Sequence, residues 1–250
     1  MRKLKVYQIW SMTTTNQWES ETSGWILSET DLPLPDDVKI VDIELDRYGN
    51  PIRGFAEMPN ELIIDLASRC YGEFLRVLGY DWTKSPHMAD TPRRVARAWV
   101  EDLARSDFSD PPKVTDFEND GKYRGMVVVR GIKVNSMCAH HNLPFTGRAH
   151  IGYLPGETVI GLSKFNRVVD YISRKPTVQE NITQEIHDYL DSVAKGNKGV
   201  AVVVEAEHMC VACRGVKDES SDTATQVLSK EFYDDQKTRE EFYTLLNLKK

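Results

Sequence analysis

The sequence predicts an α+β fold with an antiparallel sheet. Two helical patterns come first, runs rich in alternating β-branched residues follow, and a pair of helices separates those strands where strict strand–helix alternation would indicate a parallel sheet. A chain of 250 residues buries such a core without disulfides.

The first 55 or so residues differ from the rest. KVYQIW, GWILSE and VKIVDIEL are short strand-like runs between polar turns, and DRYGNPIRG closes the region with Gly and Pro. Residues 1–55 are therefore expected to be an appendage, and residues 56–250 the main domain. From Pro59 the pattern turns helical, with Leu62, Leu66, Cys70, Phe74, Val77 and Leu78 at three- and four-residue steps until Gly79. Cys70 is placed in the core on that face. DTPRRVARAWVEDLAR opens a second helix, with Thr91 as N-cap, Pro92 at the first position and Val95, Trp99 and Leu103 as its buried stripe.

Met126 to Met137 is β-branched and then alternates, so it reads as a strand; TGRAHIGYL, with Ala149, Ile151 and Tyr153 on one face, reads as the next. GLSKFNRVVDYISRKP is a helix with Ser163 as N-cap, inward residues Phe165, Val168, Val169 and Ile172, and Pro176 as its stop. Another helix starts at Thr177, carries Ile182, Ile186, Tyr189, Leu190 and Val193 inward and ends at Gly196. Gly199 to Cys210 alternates as a strand, and a last strand-like run, Thr223 to Phe232, precedes a C-terminal helix.

Composition excludes several classes. The formal charge is −6 and the basic residues are scattered, which argues against a general nucleic-acid or anionic-membrane surface. MRKLKVYQIW mimics the basic start of a signal peptide, but its apolar run of about five residues falls short of the roughly 7–15 needed. No stretch approaches the roughly 18 apolar residues of a membrane span. A soluble, cytoplasmic protein is expected.

The chemistry concentrates in two clusters. SMCAHHNLPF puts Cys138, His140 and His141 together in a chain with four cysteines and six histidines, and AEHMCVACR holds His208, Cys210 and Cys213. In a reducing compartment such spacing points to metal or redox chemistry before disulfides. Cys138, His141 and Cys210 would give the three thiolate and imidazole ligands of a catalytic zinc site, with the fourth position open. Cys213 offers a rival arrangement, a closed four-ligand structural site. Buried cysteines with hydrogen-bonded core histidines are the bland alternative. A redox C-x-x-C lacks the thioredoxin-like strand-to-helix context. A zinc nucleobase deaminase is excluded, because no His is followed two residues later by Glu and Met209 precedes Cys210.

MCAHH, GLSKFNRVVDYISRKPTVQENIT and AEHMCVACRG, in this order and preceded by DTPRRVARAW, resemble the GTP cyclohydrolase I family from about Pro59 to the C-terminus. The resemblance implies a tunnelling fold, in which subunits join their sheets into a barrel, and a homodecamer with active sites at subunit interfaces. It implies conversion of GTP and water to formate and 7,8-dihydroneopterin triphosphate, the first step of pterin and folate or of 7-deazaguanine synthesis. It also implies zinc on Cys138, His141 and Cys210. His140 and His208 match the proton-transfer histidines, whose ordinary pKa suits that work near neutrality.

By the same resemblance Lys164, Arg167 and Arg214 bind the triphosphate, Ser163 acts in the later ribose rearrangement, and Gln179 and Glu180 recognise guanine. A helix N-terminus at Ser163 to Arg167 suits an anion independently. A solvated basic helix face is the bland reading of those residues. Thr177 and Glu180 also fit a capping box, T-V-Q-E, which competes for the same carboxylate.

Three residues depart from the family pattern: Ala139 where Glu is usual, Ala212 where Lys is common and Cys213 where Ala is common. An active enzyme with modified electrostatics is expected. The alternatives are a cyclohydrolase for a modified guanine nucleotide and a non-catalytic, zinc-stabilised assembly or regulatory paralogue. A pterin synthase of the same fold would bind zinc through three histidines, so two thiolates speak against it.

Overall fold

The computed structural model describes residues 60–247, except the side chains of Leu62, Leu66 and Phe108, together with the backbone of six short strands before them. These are β1 (Arg2–Gln8), β2 (Ser11–Met12), β3 (Trp18–Glu19), β4 (Ile26–Ser28), β5 (Lys39–Leu45) and β6 (Pro51–Ile52). β1 pairs antiparallel with β4 and β5, and β5 with β6. The expected boundary near residue 55 lies outside the described residues. The chain divides into two compact units, residues 1–102 with 107–109, and residues 103–106 with 110–250.

In the first unit, α1 (Asn60–Val77) and α2 (Thr91–Ala98) pack on each other. Arg93 bridges Glu61 and Asp65, and Arg97 reaches Glu61. The helices lie where expected, but the buried stripe of α1 does not. Ile63, Ile64 and Leu75 are buried, whereas Phe74, Val77 and Leu78 are exposed. Cys70, expected in the core, is exposed too. The helix carries two adjacent apolar stripes, and α2 lies along the flank of Glu61 and Asp65. On α2 the buried side chains are Pro92 and Ala96, and Asp90, not Thr91, is the N-cap. The helix continues as a π-helical turn, Trp99–Leu103.

The second unit opens with β7 (Asp116–Glu118), β8 (Val127–Cys138), β9 (Pro144–Leu154) and β10 (Thr158–Ile160). Then come α3 (Leu162–Ser173), β11 (Pro176–Thr177), α4 (Gln179–Val193), β12 (Gly199–His208) and the single turn α5 (Met209–Ala212). β13 (Thr223–Leu228), α6 (Glu231–Asp234) and α7 (Gln236–Leu246) complete it. The main sheet has the order β11-β8-β9-β12-β13. Its four long strands are antiparallel, and only β11 runs parallel to its neighbour β8.

The α+β class is borne out, and alternation explains it. Phe145, Ala149, Ile151 and Tyr153 of β9 and Val200, Val202 and Val204 of β12 share one face, against which α3 sets Phe165, Val168, Val169 and Ile172 and α4 sets Ile182, Ile186 and Leu190. Each Val, Leu, Ile and Phe among them contributes about 1.5–3 kcal/mol on burial. The other face is covered at one end, where Leu154 and Ala201 meet Phe232 and Phe242 of α6 and α7. The strand read through Cys210 stops at His208 because the chain coils into α5. The switch within β8 from an unbroken apolar run to alternation is a bulge: its register shifts between Val129 and Ile132, and Gly131 takes φ +72°.

Gly147 of β9 faces Ala206 of β12 so closely that a Cβ there would stand 1.9 Å from the Glu205 carbonyl oxygen. Gly147→Ala is expected to cost about 1–3 kcal/mol or more, read as a lower urea midpoint; an unchanged midpoint would mean that the two strands are not packed this tightly.

Candidate metal centre

β8 ends at Cys138, and a short turn returns the chain to β9 at Pro144. The Cys138 carbonyl accepts from the backbone N–H of His141 (3.3 Å) and Asn142 (2.8 Å), and Cys138 N–H donates to Leu143 O (2.8 Å). Asn142 takes φ +50°, which Asn tolerates well. Those bonds turn His141 back toward Cys138. β11 fixes the turn from the other side, since Thr177 O accepts from Ala139 N–H at 3.0 Å. Ala139 is exposed and works through its backbone, so the turn does not depend on the side chain at this position.

β12 delivers the second cluster. His208 pairs with Phe145 at the start of β9, so Cys210 in α5 falls beside the β8–β9 turn. The potential ligand atoms of Cys138, His141 and Cys210 all lie within 4.8 Å of one another. A tetrahedral ion bound by two sulfurs and a nitrogen needs donors roughly 3.5–3.8 Å apart, a closure of about 1 Å. Two thiols and an imidazole are donors for a borderline-soft divalent ion. Cys213 is not in this group: its Sγ contacts Met209 O at 2.8 Å and is exposed. The closed four-ligand arrangement is therefore not formed.

Burial raises the pKa of the Cys210 thiol above its ordinary value, and the neighbouring Cys138 thiol adds to the shift. Arg214 Nη1 donates to His141 Nε2 at 2.7 Å. A metal on either imidazole nitrogen displaces that contact, because binding at Nδ1 leaves a proton on Nε2, facing the guanidinium. Metal binding would thus release Arg214 from His141, leaving its longer contact to Cys210 O (3.5 Å). His140 Nδ1 lies 3.8 Å from Cys138 Sγ.

His208 stacks on Phe145, ring centroids 4.6 Å apart and planes within 10°. Its Nε2 lies 2.8 Å from Gln179 Oε1. Burial lowers its pKa, and the charge of Glu180 opposes the shift. Gln179 is the first residue of α4, buried at 2% exposure, with Glu180 exposed beside it. The capping box that competed for Glu180 is absent: Thr177 belongs to β11, Val178 is the N-cap, and no side chain caps the helix. Glu180 is consequently not engaged in capping.

Ser163, Lys164 and Arg167 lie elsewhere. They open α3, whose N-cap is Gly161 and not Ser163. Ile160, just before it, donates its N–H to the Tyr153 hydroxyl near the far end of β9. α3 ends near β11, which pairs with Cys138, so Ser163 and Lys164 stand about a helix length, roughly 17 Å, from that end, and Arg167 about half as far. Ser163 and Arg167 are exposed, and Lys164 Nζ donates to Lys113 O. One chain thus unites Cys138, His140, His141, Gln179, Glu180, His208, Cys210 and Arg214, and leaves those three residues apart. Phe145 and Thr177 were not legible as site residues; only the strand register reveals them.

Among known proteins, the family description GTP cyclohydrolase I matches residues 67–247. The GTP cyclohydrolase 1 of a Sulfurihydrogenibium species is 47% identical over 174 residues, 70% of this chain and 90% of that protein. Those of Flavobacterium johnsoniae and Citrobacter koseri are each 39% identical, over 80% and 74% of this chain and 89% and 83% of theirs. A solved archaeosine synthase QueF-Like overlaps 43% of this chain and 96% of that one at a TM-score of 0.36 and 14% identity, too distant to carry weight.

Cys210→Ala and His141→Ala are expected to lose the bound divalent metal, while Cys213→Ala and Arg214→Ala keep it at about one per chain. Elemental analysis after dialysis decides, and loss of metal from Cys213→Ala would restore the four-ligand reading.

Proposed function

Because this chain belongs to the GTP cyclohydrolase I family, we propose that it hydrolyses GTP at guanine C8, releasing formate and forming 7,8-dihydroneopterin triphosphate. The observation that carries this reading is the three-donor group Cys138, His141 and Cys210 beside His208, with Cys213 outside it. Three donors leave a coordination position for water or substrate.

Zinc is the proposed resident ion, and when bound it supplies Lewis-acid activation of a water molecule. The protein's own residues do the rest. His208 and His140 move protons between water and the opening imidazole ring. Glu180, exposed at the head of α4 near His208, would accept from the guanine N1–H and exocyclic amine. Arg214, released from His141, turns to phosphate as a fork of donors.

Ser163, Lys164 and Arg167 enter by assembly. Ser163 and Lys164 open α3 at the end remote from β11 and Cys138, with Arg167 one turn further on, so the triphosphate and ribose contacts are proposed to come from a neighbouring copy, in a homodecamer whose sheets join edge to edge. β13, paired only with β12, offers such an edge. Residues 56–250 are the proposed catalytic domain and residues 1–55 an appendage. No described helix is long and apolar enough to cross a membrane. The proposed setting is the cytoplasm, whose reducing poise preserves thiolate ligands, and the product feeds pterin and folate or 7-deazaguanine synthesis.

Incubation of zinc-loaded protein with GTP should release formate in step with the ultraviolet absorbance of the dihydropterin. Neither signal, at one zinc per chain, would overturn the assignment. His208→Ala should retain zinc and lose about 10²–10⁴-fold in turnover. Mixing inactive Lys164→Ala with inactive His208→Ala chains and reassembling them should restore part of the activity, whereas a site contained in one chain would restore none.

A further inference from the structure

Gln179 does something in this fold that its expected role as a guanine reader does not require. Its side chain is buried at 2% exposure. The amide nitrogen donates to Val204 O (3.0 Å) and Thr223 O (2.8 Å), with Thr225 Oγ1 at 3.2 Å. Carbonyl oxygens only accept, so the group facing them must be the NH2, and the amide orientation is fixed by β12 and β13. Oε1 is thereby forced toward His208 Nε2 at 2.8 Å.

An amide oxygen only accepts as well, so His208 must carry its proton on Nε2. In the neutral ring the lone pair then sits on Nδ1. Phe145 fixes the plane of the ring by stacking, and Thr183 steadies the base of the arrangement through Gln179 O (2.9 Å) and Thr225 Oγ1 (2.6 Å). Backbone carbonyls thus set a side-chain amide, and the amide sets an imidazole tautomer.

We propose that Gln179 is a positioning residue that holds His208 in the Nε2–H tautomer and presents Nδ1 for proton transfer, and that base recognition is left to Glu180. This rests on the reading of His208 as a proton-transfer group. A guanine reader would need a free amide facing the substrate; here both ends of the amide are engaged by the protein.

The test uses the zinc-loaded full chain, with kcat and KM for GTP and for ITP, which lacks the exocyclic amine, and the 15N spectrum of labelled histidine. Gln179→Met is expected to lower kcat for GTP tenfold or more, with KM within about threefold of the parent and the preference for GTP over ITP kept. Its His208 signals should change from a protonated Nε2 to a mixture of tautomers. Gln179→Glu in its neutral acid form keeps an acceptor toward His208, and should recover turnover relative to Gln179→Met.

A raised KM with loss of the GTP preference would overturn the proposal in favour of guanine reading, and an unchanged kcat would overturn it outright. If Gln179→Met does not fold, the wild-type spectrum still decides, since a protonated Nδ1 on His208 refutes the proposal. His208→Ala measured in parallel separates the two readings: normal turnover there sinks the proton-transfer role of His208, while the tautomer readout still judges what Gln179 does.

Discussion

The register of β9 with its two neighbours is the constraint on which the centre depends. β9 pairs with β8 so that Met137 faces Pro144, and with β12 so that His208 faces Phe145. Two segments about 70 residues apart in sequence, estimated from their numbering, are thereby brought to one end of one sheet. Side chains alternate along a strand, so a slip of one residue in β12 would turn His208 away from the helices and move Val200, Val202 and Val204 out of the core. The core and the site enforce the same register. This is why Gly147 matters: it lies where β9 and β12 approach most closely among the glycines of the sheet, opposite Ala206, two residues before His208.

A second constraint is polar and buried. Gln179 sits at the head of α4, where the sheet end, β13 and the helix converge, and every polar group it brings inside finds a partner. A satisfied network of this kind fixes one geometry, because its members cannot move singly without leaving a donor or acceptor stranded. The helix has no side-chain cap, so its first turn is defined by packing and by this amide. His208, held between Gln179 and Phe145, has little freedom left to choose its orientation.

The third consideration is distance along α3. The helix starts at the level of Tyr153 and ends beside the strand that pairs with Cys138, so its basic first turn faces a different end of the unit from the Cys-His-Cys group. The Cys-His-Cys group and the basic first turn of α3 are thus divided between two ends of the unit. In a symmetric assembly such a division is productive, because each copy lends one end to each neighbour.

The sequence by itself determined most element types, the inward faces of α3, α4, β9 and β12, and the Cys and His residues from which the metal group is drawn. These follow from local periodicity and from the ligand chemistry of Cys and His, which do not depend on distant parts of the chain. Whatever depended on neighbours was decided only by the tertiary structure. α1 carries two apolar stripes, and nothing local says that Cys70, Phe74 and Val77 stay exposed while Ile64 is buried. T-V-Q-E reads as a capping box until β11 claims Thr177 for pairing with Cys138. C-x-x-C offers Cys213 as a ligand until the turn of α5 aims its sulfur at Met209 O. For Gln179 the family resemblance implies a guanine contact, and only the fold shows that two strand carbonyls and a histidine enclose its amide. For Thr177 and Gln179 a long-range contact made the selection; for Cys213 it was the turn that the chain takes after β12.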